Sequence, residues 1–216
     1  MNKKVIVFQA PLEADTVGEL ITSLNNTKEK NIDLYFCTSG GDTGGKDALL
    51  HFINNNLIKR KNLTLYANGF IQSSGVLFLL EVNCKKVILP STSIMIHKIK
   101  AFLRGKELKL NSKSTYSHKT LFSCTESENE MMYDLYRRKG FSEEIIDHVK
   151  EGVDVYINNE DLMKILTGSE VKFHEVYNNE YSVGHMKFSN DWISSIFNQE
   201  FPNNKTKMPK IKSPKK

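Results

Sequence analysis

The stretch Gly69-Phe70-Ile71-Gln72-Ser73-Ser74-Gly75-Val76-Leu77-Phe78-Leu79-Leu80 decides how this chain folds. It reads as the end of a strand, a tight Gly-flanked turn and an apolar helix from Ser74, which presents a serine hydroxyl at a helix N-terminus instead of burying it. Before it, Leu63 to Ala67 has the β-rich character of a strand. After it, Lys86-Val87-Ile88-Leu89-Pro90 and Ser93 to Ile96 are strand-like and end on His97. Histidine is the side chain best able to take a proton from serine near neutral pH.

The pattern extends in both directions. Val5 to Phe8 reads as a buried strand, and Glu13 to Leu24 repeats apolar residues at helical spacing (Val17, Leu20, Ile21, Leu24) until Asn25-Asn26. Ile32 to Cys37 is a second strand, closing on Thr38-Ser39-Gly40-Gly41, and Asp47 to Leu57 is a second helix with Leu49, Leu50, Phe52, Ile53 and Leu57 inward. Alternating strands and helices imply right-handed βαβ crossovers on a mainly parallel α/β sheet. In such sheets, loops leaving the carboxyl ends of strands gather on one edge, where Gly40-Gly41, Gly69 to Ser74 and His97 would all fall. Lys98 to Lys119 is basic, serine-rich and weakly periodic, the pattern of an exposed excursion. Glu126 to Arg138 returns to helix with a stripe of Met131, Met132, Leu135 and Tyr136, and Gly140 ends it. Ser142 caps a helix over Glu143 to Lys150, and Asn158 or Asn159 caps another over Glu160 to Leu166, closed by Gly168.

At 216 residues, 39% hydrophobic and 25% charged, the chain suits one globular domain. We place that domain at 1–198 and a basic, disordered tail at 199–216, where Lys205, Lys207, Lys210, Lys212, Lys215 and Lys216 contribute to the net charge of +5. The basic run from Lys205 to Lys216 has no interleaved aromatic residues to stack bases, so no nucleic-acid partner is expected. Val5 to Phe8 is too brief for a signal-peptide core, and no segment approaches the roughly 18 apolar residues of a membrane span. The expected compartment is the cytoplasm, with no membrane association. Cys37, Cys84 and Cys124 form no CxxC pair and read as reduced thiols. His51, His118, His148, His174 and His185 have no ligand spacing, so neither a metal nor a cofactor is implied.

Chemistry can be assembled from these parts. A serine hydroxyl needs a base to attack, and a base that becomes cationic needs an oriented carboxylate. Ser73, His97 and a downstream aspartate fit in kind. Asp154, entering the strand-like Val155-Tyr156-Ile157, suits the third role better than Asp147 or Asp161, which look like helix-surface residues. The oxyanion requires preorganised backbone donors, for which Gly40-Gly41 and the amide of Ser74 are positioned. Singly, a Gly-Gly pair is a turn, Ser-Ser a helix cap and a strand-ending histidine an interior group. Their convergence on one sheet edge carries the argument.

Thr38-Ser39-Gly40-Gly41, Gly69-x-x-x-Ser73-x-Gly75, Leu89-Pro90-x-x-x-Ile94-Met95-Ile96-His97 and Asp154 together resemble, in order and approximate spacing, the proteolytic subunit of the Clp protease. The resemblance covers roughly Val5 to Val171 and is most specific from Leu89 to His97. It implies the crotonase-like fold, repeated βαβ units with a protruding strand-and-helix handle at about 98–138. It implies a serine endopeptidase with Ser73, His97 and Asp154 as nucleophile, base and acid, and with oxyanion donors at Gly41 and Ser74. It also implies seven-membered rings of identical subunits, usually stacked in pairs, acting on peptides or unfolded proteins that a Clp-type ATPase delivers. The sequence departs from the family's pattern at Ile71-Gln72, normally two small residues, at Ser74, typically methionine, and at Asp33, beside the Tyr35 that matches a docking aromatic. A catalytically silent scaffold or regulatory subunit of the same fold is the alternative. Acyl-CoA chemistry of the wider crotonase-like fold is a third reading, needing no serine-histidine pair. A serine-lysine signal-peptide-peptidase site using Lys98 is a fourth, and it lacks the membrane anchor such enzymes have.

Overall fold

The computed structural model describes residues 3–103, 106–111, 113–157 and 162. Strands β1 (Lys3–Gln9), β2 (Asn31–Thr38) and β3 (Asn62–Gln72) alternate with helices α1 (Ala14–Asn26) and α2 (Thr43–Phe52), and α2 widens into a π turn over Ile53–Leu57. Helix α3 (Ser74–Glu81), strands β4 (Lys85–Ile88) and β5 (Ser93–Ile96), a short hairpin of β6 (Phe102–Leu103) and β7 (Lys106–Glu107), helices α4 (Tyr116–Arg138) and α5 (Glu143–Lys150) and strand β8 (Val155–Ile157) follow. The main sheet runs β1-β2-β3-β5-β8, with β4 also on β3. Every pairing in it is parallel except β5 with β8. The mainly parallel α/β sheet read from the sequence is therefore present.

Burial follows the period-two logic of strands. Leu63, Leu65 and Ala67 of β3 are buried, as are Leu34 and Phe36 of β2. Phe36 stacks on Phe8 at 5.4 Å and meets Phe78 of α3 at 4.9 Å, tying this face of the sheet to that helix. On the other face, Tyr35 and Tyr66 are register partners and stack at 4.7 Å. Beside them Asp33 is buried in an ion pair with Lys3. Val17, Leu20 and Leu24 give α1 its inward stripe. Seven residues of α3, Ser74 to Leu80, are buried, so this helix is apolar all round because it is enclosed.

Three elements differ from the sequence reading. Gly69 lies within β3, which does not turn there: Phe36 pairs with Ala67 and Thr38 with Ile71, so two steps along β2 match four along β3. Gly69 takes a left-handed φ of 77° at this irregularity. The chain turns only at Ser73. Helix α4 starts at Tyr116 instead of Glu126, capped by the Thr115 hydroxyl, which accepts from the His118 amide. Its serine-rich first half hid the helix because that half is largely exposed and shows no apolar stripe. Helix α2 begins at Thr43, where the Asp42 carboxylate accepts from the Gly44 amide. The Ser142 cap is present, its hydroxyl accepting from the Ile145 amide. The expected helix over Glu160 to Leu166 and the domain boundary at 198 lie outside the described residues, apart from Leu162, which is buried.

The junction of β3 and α3 is tightly closed. A Cβ on Gly75 would lie 2.3 Å from Thr38 Cγ2, itself at a fully buried position. Gly75→Ala should therefore lower unfolding free energy in urea by about 1–3 kcal/mol. Thr38→Ser, which removes that methyl, should show a favourable coupling with it of about 1 kcal/mol in a double-mutant cycle. Strictly additive losses would contradict this packing. The cysteines give a second check. Cys124 is exposed, whereas burial pushes the Cys84 thiol up to about 11. Iodoacetamide at about pH 8 should alkylate Cys124 at least about tenfold faster than Cys84 in the folded protein, as read by mass spectrometry.

Candidate active site

The β3–β5 pairing continues one residue past Gln72, because the Ser73 amide donates to the Met95 carbonyl at 2.9 Å. Ser73 then reverses the chain with φ 53° and ψ −128°, the sole non-glycine positive φ among the described residues. A backbone so held stores on the order of 1–3 kcal/mol and persists only where the surroundings dictate it. Those surroundings are visible at Gly40, where a Cβ would fall 2.5 Å from Ser73 Cβ and 2.8 Å from the Gln72 carbonyl oxygen. The serine is seated against bare backbone, and its side chain is only half buried.

His97 follows β5 directly. Its Nε2 lies 2.8 Å from Ser73 Oγ, and its Nδ1 lies 2.7 Å from the carbonyl oxygen of Lys98. A carbonyl can only accept, so this bond calls for a proton on Nδ1, which in the neutral imidazole leaves the lone pair of Nε2 facing the serine hydroxyl. This is the tautomer that can receive the serine proton.

Gly41 is bridged to Leu12: the Leu12 amide donates to the Gly40 carbonyl at 2.7 Å and the Asp42 amide to the Leu12 carbonyl at 3.0 Å. In a parallel bridge of this kind the polar groups of Gly41 itself face away from Leu12. Its carbonyl there accepts from the buried Ser74 hydroxyl at 3.2 Å. A Cβ on Gly41 would meet the Leu12 backbone at 2.8 Å, so only glycine fits. The amide of Ser74 is the first of α3 and belongs to the donors that a helix start leaves without an internal partner.

Asp154 stands apart from this group. The antiparallel register pairs Ile96 with Val155, so Asp154 falls opposite His97 one step further on. It is exposed, and among the described residues its carboxylate makes no hydrogen bond or ion pair, with His97 or otherwise. Asp147, set aside at the sequence level, is an exposed α5 residue paired with Lys150 at 2.8 Å. Lys98 points its ammonium at Glu126, 3.1 Å away. Ile71 does not crowd the serine, since it is buried in the core, while Gln72 is half buried.

Two contributors escaped the sequence reading. The Thr38 hydroxyl accepts from the Gly40 amide at 3.1 Å and shapes the glycine turn. Asn129 of α4 receives the Ile99 amide at 2.8 Å and donates to the Ile99 carbonyl at 3.1 Å, fixing the segment after His97. Its signal was an asparagine in helical register with Thr125, Met132 and Tyr136, all buried. Among the described residues no group of three His, Cys, Asp or Glu side chains could hold a metal, and no helix is long and apolar enough to cross a membrane.

The chain resembles the solved structure of a point mutant of ClpP1 from Listeria monocytogenes with TM-score 0.55 and 13% identity, over 80% of this chain and 93% of that one. It resembles the ClpP protease catalytic domain from Plasmodium falciparum with TM-score 0.55 and 18% identity, over 84% and 90% of the respective chains. At these identities the likeness establishes the fold, which is crotonase-like. No curated protein matches the chain. The Clp protease family matches over residues 1–132, a span that holds Ser73 and His97 and stops short of Asp154. With that match and that fold, the chain belongs to the Clp protease family.

Proposed function

We propose that this protein is a serine endopeptidase that hydrolyses peptides or unfolded proteins. The observation that carries this reading is the 2.8 Å contact between His97 Nε2 and Ser73 Oγ, with the far nitrogen of the ring 2.7 Å from the Lys98 carbonyl oxygen. Ser73 attacks the scissile carbonyl as Nε2 takes its proton, and the amides of Gly41 and Ser74 receive the oxyanion. His97 then returns the proton to the leaving amine. Asp154, opposite His97 in register, supplies negative charge to the imidazolium that forms between these steps. Identical subunits assemble into a ring, as the family implies, with a Clp-type ATPase as the candidate partner.

One observation favours a second reading, a catalytically silent scaffold of the same fold. Asp154 is exposed and makes no hydrogen bond to His97. The two readings separate on covalent chemistry. A fluorophosphonate probe should label Ser73, and labelling should vanish in Ser73→Ala and fall at least about 10³-fold in rate in His97→Ala. Labelling that survives in both variants, or ring assembly of the wild type without any peptide turnover, removes the peptidase reading. Asp154→Asn should lower kcat for a fluorogenic peptide by about 10–100-fold with KM changed less than about threefold, since the carboxylate acts on a charge present only during turnover. An unchanged kcat would take Asp154 out of the mechanism.

A further inference from the structure

The His97 proton is directed by main chain, and what directs that main chain is a side chain of α4. The carbonyl of Lys98 and the amide of Ile99 belong to one planar peptide unit and point in opposite directions. Whatever holds the Ile99 amide therefore also aims the Lys98 carbonyl. Asn129 Oδ1 accepts from that amide at 2.8 Å, while on the opposite side of the same plane the Lys98 oxygen lies 2.7 Å from His97 Nδ1. Asn129 Nδ2 donates to the Ile99 carbonyl at 3.1 Å, so the next peptide plane is held as well.

The asparagine is itself fixed. The residue is 1% exposed, which removes water as a competitor for either bond. Nδ2 also faces Glu126 Oε1 at 3.5 Å, and Glu126 pairs with Lys98 Nζ at 3.1 Å. The contacts close a loop from the Lys98 side chain through Glu126 and Asn129 back to the Lys98 peptide. Nothing in this loop involves Asp154, which is exposed.

We propose that Asn129 is a positioning residue for His97: by clamping the Lys98–Ile99 peptide it holds the Lys98 carbonyl on Nδ1 and sets the base's tautomer, a task that in Ser-His-Asp sites falls to the carboxylate. This rests on His97 being the base, and it divides the work. The main chain sets the resting proton, and Asp154 answers only the charge that develops later.

The test reads the tautomer directly. Magic-angle-spinning 15N spectra of sedimented, histidine-labelled protein at about pH 9, where free imidazole is neutral, should show His97 protonated at Nδ1, assigned by its loss in His97→Gln. Asp154→Asn should leave that signature in place. Asn129→Leu should give mixed tautomers and a kcat lowered about 10–100-fold with KM within about threefold. Asn129→Gln, which keeps an amide oxygen for the Ile99 amide and an amide nitrogen for the Ile99 carbonyl, should retain more of both than Asn129→Leu does. Wild-type His97 protonated at Nε2 overturns the proposal even if Asn129→Leu does not fold, and so does a wild-type tautomer in a folded Asn129→Leu. If fluorophosphonate fails to label the wild type, the peptidase reading fails, while the spectra still decide the clamp.

Discussion

One carbonyl holds the architecture of the site in register. The oxygen of Ala67, at the centre of β3, accepts both the Leu89 amide at 3.0 Å and the Thr92 hydroxyl at 2.7 Å. These bonds fold the Leu89 to Thr92 turn over β3 at the point where β4 leaves it and β5 takes its place. Because β3 exchanges partners there, β5 runs alongside its last residues, and the chain delivers an imidazole beside the serine at its tip. Without that exchange, β4 would have to run on beside the whole of β3, and the Leu-Pro turn would have no function in the fold.

Much of this was legible in the sequence, and the reason differs from element to element. Strand positions were readable because Leu63, Leu65 and Ala67 alternate with residues that stay partly exposed, and α5 because Ser142 and the acidic first turn mark its start. The serine and histidine were readable because each ends an apolar run beside a turn. The bulge at Gly69 was not, since a glycine at a strand end announces a turn and an irregular register equally well. The first half of α4 was not, because an exposed helix needs no apolar stripe, only a cap, and Thr115 is a single residue among many serines and threonines. Asn129 was overlooked for a related reason: a polar residue on a buried stripe is visible, but the peptide it binds lies thirty residues away.

The two nitrogens of His97 meet partners of different kinds. One faces a side chain whose place is fixed by backbone strain and by the closeness of Gly40; the other faces a peptide carbonyl. Burial of carboxylates is costly, whereas a peptide carbonyl brings a permanent dipole without net charge and without a desolvation penalty comparable to that of an ion. A neutral acceptor suits a resting imidazole, because it engages Nδ1 without placing a net charge beside it. The aspartate opposite stays in solvent.

The enclosure of α3 has a mechanical consequence. With seven consecutive residues packed on all sides, the helix has no free volume into which to shift, and the oxygen at its head is the stationary jaw of the site. The imidazole hangs from a segment secured by a few polar bonds to a neighbouring helix, a far softer mounting. On the proposed reading, any change in the distance between the two side chains falls to the half that carries the imidazole, and its hold is only as firm as the seat of α4.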